Sequence, residues 1–144
     1  MASIKLIAVV LTALALSTAA ILVHPTPPPG HIPATVHAPQ GVLPEIVHHT
    51  GHDTVDAYAA ALAHPAVLES VPCTCGCMPA LGHRDNLDCY IDEILPDGTV
   101  AFSTHGLYCL VCQWITFDAL EGHAAGLDGG ELTKLVMERY GPHS

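Results

Sequence analysis

Cys89-Tyr90-Ile91-Asp92-Glu93-Ile94-Leu95, then Pro96-Asp97-Gly98, then Thr99-Val100-Ala101-Phe102 forms two short runs of β-branched and aromatic residues on either side of a turn. Such runs suit a pleated, half-buried surface, and a glycine in the turn supplies the backbone angles that close a hairpin. The stretch predicts a short β-hairpin, so the domain is not built of helices alone.

Helical patterns flank it on both sides. After the hairpin, Ser103 or Thr104 can cap a helix running to about residue 120, in which Leu107, Leu110, Val111, Trp114 and Ile115 make a broad apolar face. Cys109 and Cys112 lie at i and i+3 on that helix, with His105 one turn earlier, so the three share a side. A last helix over about 130–140 carries Leu132, Leu135, Val136 and Tyr140 on one stripe and stops at Gly141-Pro142. Before the hairpin, Asp53 can cap a helix with Val55, Tyr58, Ala59 and Leu62 on one face, until Pro65 opens a second short turn. Pro72 then delivers the chain to Cys73-Thr74-Cys75-Gly76-Cys77. The expected fold is a small, mainly helical α+β domain with a short β-hairpin and a cysteine-rich loop.

Residues 6–23 run apolar or small without a charge, approaching the roughly 20 residues that cross a bilayer. Residues 1–23 are therefore expected to be a signal peptide or a membrane anchor. Ser17-Thr18-Ala19 offers small residues for cleavage, while Ile21-Leu22-Val23 continue the apolar run as an uncleaved anchor would. Lys5 before the span places the N-terminus in the cytoplasm and the remainder outside, in the periplasm or at the cell surface. Residues 24–52 shift to Pro, His, Ala and Thr, and prolines 25, 27, 28, 29, 33, 39 and 44 favour an extended spacer. Its histidines, His24, His31, His37, His48, His49 and His52, could form a weak metal-collecting tail or be compositional. The folded domain is expected over 53–144.

Beyond residue 23 only Arg84, Lys134 and Arg139 are basic, against fourteen Asp and Glu, and the whole chain carries a formal charge of −10. That excess disfavours nucleic acid and anionic lipid surfaces as partners.

The chemistry is concentrated in six cysteines: Cys73, Cys75 and Cys77 in one cluster, Cys109 and Cys112 in another, and Cys89 between them. Thiols at this density pair as disulfides, coordinate a metal or act as nucleophiles. Cys-x-x-Cys at 109–112 is a familiar zinc half-site, but Cys-x-Cys-x-Cys is not. Fully extended, that loop would space successive sulfurs about 6.6 Å apart, so chelation requires it to curl. Cys75, at its centre, would be indispensable to a curled arrangement, whereas Cys89 could be a buried core cysteine. Outside the cytoplasm, three disulfides among the six remain an open alternative. His83 and His105 are the histidines best placed to support the thiols. The carboxylates form no spaced pair of the acid–base kind.

Pro72-Cys73-Thr74-Cys75-Gly76-Cys77 resembles the signature of the bacterial proteins named for their PCYCGC motif. The resemblance continues through His83, Asn86-Leu87-Asp88-Cys89-Tyr90-Ile91, Asp97-Gly98, His105-Gly106, Tyr108-Cys109, Cys112 and Tyr140. It implies an extracytoplasmic protein, often lipid-anchored in that family, without naming an activity. Thr74 replaces the motif's aromatic residue, and this chain has no cysteine near its N-terminal segment for lipid attachment.

Together these features lead to the expectation of an extracytoplasmic metal-binding protein, not an enzyme. Cys73, Cys75, Cys77, Cys89, Cys109, Cys112, His83 and His105 would hold a thiophilic ion, copper foremost with zinc the alternative. It would buffer, sense or transfer that ion to a metal-handling protein partner, with membrane contact through the N-terminal segment if that is uncleaved. The alternatives are a thiol–disulfide redox protein using Cys109 and Cys112, and a disulfide-stapled interaction module.

Overall fold

The hairpin forms as strands β2 (Ile91–Ile94) and β3 (Thr99–Ser103), in a computed structural model that describes residues 33–77 and 81–142. Gly98 adopts φ +83°, and Asp97 accepts a hydrogen bond from the Thr99 amide at 2.9 Å, which closes the turn. A third strand, β1 (Thr35–Pro39), pairs antiparallel along the free edge of β3, from Thr35 opposite Ser103 to Pro39 opposite Thr99. The sheet order is β1-β3-β2.

Here the structure differs from the expectation of an extended spacer over 24–52 and a fold beginning at 53. Val36 and Ala38 turn toward the core from β1, and the short helix α1 (Glu45–His48) buries Val47 completely. Pro39 is tolerated because β1 is an edge strand, where a missing N–H leaves no ladder bond unmade. Proline-rich composition masked a strand of only five residues. His24 and His31, and the N-terminal segment 1–23, lie outside the described residues, as does His143. Among the described residues no helix is long and apolar enough to cross a membrane.

Helix α2 (His52–Ala63) forms where expected but begins earlier, with Gly51 at its N-cap and Asp53 inside the first turn. Of the expected face, Tyr58 is buried, Val55 and Leu62 are half-buried and Ala59 is exposed; α3 (Pro65–Glu69) begins at Pro65 as expected. Helix α4 (Leu110–Ala124) begins later than expected, and His105–Leu107 forms a separate 3-10 turn before it. The cause is tertiary. Gly106 sits so close to Tyr90 that a Cβ there would lie 2.6 Å from the ring and 2.9 Å from the Cys89 carbonyl. Only a residue without a Cβ fits this approach, and the chain packs against Tyr90 as a 3-10 turn before the helix starts. Helix α5 (Gly129–Tyr140) opens with a capping box, in which Asp128 accepts from the Glu131 amide and Glu131 from the Asp128 amide, both at 2.9 Å.

The result is a small α+β domain in which five described helices pack beside the sheet. Its core is built on Tyr58, Tyr90, Phe102, Leu68 and Ile115. Tyr58 meets Tyr90 edge-on at 5.0 Å and donates to the Ser103 carbonyl at 2.6 Å, joining α2 to the end of β3. This core is continuous with the sulfurs of Cys73, Cys89 and Cys112, all fully buried.

Candidate metal centre

The Cys73–Cys77 loop curls. Gly76 takes φ +88°, a conformation that a residue with a Cβ rarely adopts, and the chain bends around it. The sulfurs of Cys73 and Cys77 come within 3.0 Å, Cys73 and Cys75 within 3.2 Å, and Cys75 and Cys77 within 2.9 Å. These contacts are well beyond the roughly 2.05 Å of a disulfide bond, and all six cysteines are free thiols.

The second cluster joins the first. Cys109 occupies the N-cap of α4 and Cys112 its first turn, with sulfurs 3.0 Å apart. Cys89, in the 3-10 turn Leu87–Cys89, lies between the clusters, 3.5 Å from Cys73 and 3.1 Å from Cys112. Its position before the hairpin lets one buried sulfur touch both groups. His83 Nδ1 stands 3.3 Å from Cys77, and His105 Nε2 3.6 Å from Cys75, the two rings meeting edge-on at 5.2 Å. Every residue expected to form the site therefore reaches one cluster. The other described histidines do not join it: His37, His48, His49, His52, His64 and His123 are exposed, and His49 faces Glu45 at 3.1 Å.

These donors fall into four overlapping groups of four, each with its ligand atoms within 4.8 Å of one another. Separations of that size fit around an ion with bonds of roughly 2.3 Å to sulfur and 2.0–2.1 Å to imidazole nitrogen. Among the described residues every Lys and Arg pairs with a carboxylate and not with the sulfurs: Arg84 with Asp88, Lys134 with Glu138 and Arg139 with Asp118. Protons or metal ions must offset charge on the sulfurs.

The thiols share protons unequally. Hydrogen bonding from Cys112 and Cys89 holds Cys73 well below the ordinary thiol range, and bonding from Cys112 brings Cys109 down to about 5. Burial pushes Cys75 and Cys77 up. At Cys89 a hydrogen bond from Cys112 pulls down, but contact with Cys73 and burial outweigh it and raise the thiol. Cys112 is raised by its donation to Cys109, Cys73 and Cys89. Ionisation is thus favoured at Cys73 and Cys109, toward which the neighbouring thiols donate, over the other four.

A buried polar network holds these sulfurs in place, and the sequence pattern did not reveal it. Asn86 donates from Nδ2 to the Cys112 carbonyl at 3.1 Å and accepts from the Thr116 hydroxyl at 2.7 Å, while the Thr116 and Tyr90 hydroxyls lie 2.9 Å apart. The Asn86 amide donates to the Val71 carbonyl at 3.0 Å, which ties the same residue to the start of the cysteine loop. Gln113 reaches the Gly106 carbonyl at 2.9 Å and so braces the His105 turn against α4. The available signal was Gln113 and Thr116 on the helix face that also carries Cys112 and Ile115. Asn86→Ala is expected to lower unfolding stability by about 1–3 kcal/mol, since it leaves buried partners unsatisfied. It should also weaken metal binding by about 10–100-fold, as loss of an orienting partner does. Denaturant unfolding and chelator competition would measure the two effects.

The centre opens on one side. A cleft of about 600 Å³ reaches it past His83, His105 and Cys109, with Asp92, Leu81 and Tyr108 also on its walls. A second, apolar hollow is lined by Cys73 and Thr74 of the loop with Met137 and Tyr140, and the Thr74 hydroxyl is buried without a partner.

Six thiols and two imidazoles converging on the core of a small α+β domain define a cysteine-rich protein with a candidate soft-metal centre. The chain belongs to the family described as proteins of unknown function with a PCYCGC motif, which matches residues 30–143. Its motif stands here as Pro72 to Cys77, with Thr74 at the tyrosine position. No curated protein and no solved structure matches the chain.

Proposed function

We propose that this protein binds a thiophilic transition metal, copper(I) foremost and zinc(II) as the alternative, outside the cytoplasm, and buffers, senses or hands on the ion. The observation that carries this reading is the convergence of six sulfurs and two imidazole nitrogens from separate stretches of chain. Thiolates supported by imidazole favour soft ions over hard oxygen-seeking ones. The open cleft supports exchange of the ion, because it gives an incoming ligand a path to His105 and Cys109. Leu81 and Tyr108, 55% and 67% exposed at that cleft, offer apolar contacts to a metal-handling partner. Extracytoplasmic placement is supported by the apolar run at 6–23.

Metal analysis with a free-thiol count on protein taken from its native compartment tests this. Bound copper or zinc, with close to six thiols free after anaerobic metal removal, is the expected result. Three native disulfides with no metal would overturn it. One observation favours a second reading, thiol–disulfide exchange: Cys109 is half-buried at a helix start beside Cys112, a setting that activates a thiolate. A metal-free protein whose 109–112 disulfide reduces readily would select that reading.

A further inference from the structure

The eight donors divide without remainder into two sets of four. Cys73, Cys77, His83 and Cys89 form one, every member buried; Cys75, His105, Cys109 and Cys112 form the other, with three members only half-buried. Each set offers three sulfurs and one nitrogen, a complete shell for a four-coordinate ion. The geometry points to two ions held side by side in an inner and an outer Cys3His site, an inference that rests on the metal-binding reading above.

A single ion within the sulfur-only group Cys73, Cys75, Cys89 and Cys112 is the competing arrangement. It would leave Cys77 and Cys109 idle, although each lies 3.0 Å from one of its ligands. It would also leave both histidines unused, although His83 stands 3.3 Å from Cys77 and His105 3.6 Å from Cys75.

Contacts across the seam between the sets are as short as those within them. Cys73 and Cys75 are 3.2 Å apart, Cys75 and Cys77 2.9 Å, and Cys89 and Cys112 3.1 Å. Sulfurs of one set can therefore be shared with the other. The sets differ in access: His105 and Cys109 of the outer set line the cleft, whereas the inner set meets the cleft through His83, 7% exposed, and borders the apolar hollow through Cys73, which has no exposed surface. The outer ion is the one that exchanges and the inner ion is the one that stays.

Native mass spectrometry of the reduced, metal-free full chain titrated anaerobically with zinc(II) tests the arrangement. Two zinc ions per chain are expected, one removed by a chelator at least tenfold faster than the other. Cys109→Ser should retain the slow ion and lose the fast one, and Cys77→Ser should lose the slow one. One zinc per wild-type chain, or two that leave at the same rate, would overturn the inner and outer pair. Failure to retain zinc here, together with failure to retain copper(I) in a parallel anaerobic titration, would overturn the metal-binding reading itself. Because the wild-type stoichiometry and rates decide the matter alone, a variant that does not fold leaves the test intact.

Discussion

Cys89→Ser is expected to weaken metal binding at least as much as Cys75→Ser, each by more than the roughly 10–100-fold that loss of an outer partner costs. A serine hydroxyl stays protonated at neutral pH and is a hard, poor ligand for a soft ion. Cys75 is central by position, in the middle of a three-thiol loop. Cys89 is central by packing: it is fully buried, touches Cys73 and Cys112, and belongs to three of the four donor groups, as Cys75 does. Its expected role as a core cysteine and its place in the site are therefore the same fact. Chelator competition under anaerobic conditions measures the effect, with His49→Ala, exposed and facing Glu45, as the unchanged control. Wild-type affinity in Cys89→Ser would remove Cys89 from the ligand set.

Committing all six sulfurs to metal at neutral pH is expected to release about four protons per chain, because ligation needs thiolates. Cys73 and Cys109 are held low by hydrogen bonds from their neighbours, whereas Cys75, Cys77, Cys89 and Cys112 are raised and must lose protons on binding. Acid therefore competes with metal, and overall affinity falls with decreasing pH by about tenfold per unit for each proton displaced. Calorimetry in buffers of different ionisation enthalpy counts those protons. A pH-independent affinity between about 6 and 8 would mean that the raised thiols are not ligands.

The elements that could be read from sequence were those specified locally. Helices α2 and α5 carry one-face periodicity with punctuation at their ends, and the Pro96-Asp97-Gly98 turn has the chemistry its backbone needs. β1 was hidden because its partner, β3, lies some sixty residues away, and an edge strand can carry the proline that argues against it. The start of α4 was placed too early for a similar reason. Nothing local forbids a helix through His105, but the close approach of Gly106 to Tyr90 goes with a 3-10 turn there. In the site, residue type and scarcity singled out the donors, while Asn86, Thr116 and Gln113 look like ordinary polar residues until their partners are known.

By itself the sequence determined which atoms can do chemistry here. Cysteine thiols and histidine imidazoles are the donors a thiophilic ion would take here, and the clustering of the cysteines is written in the chain's order. It also determined that the cysteine loop could chelate only if it curled, with Gly76 available to permit this. Only the tertiary structure decided that the two clusters and Cys89 share one centre, that His83 and His105 join it and the other described histidines do not, and that one side lies open. The physical reason is that convergence depends on long-range packing. The Asn86 network, the Tyr58–Tyr90 contact and the seating of Gly106 bring together residues far apart in the chain, and no periodicity or spacing encodes such contacts.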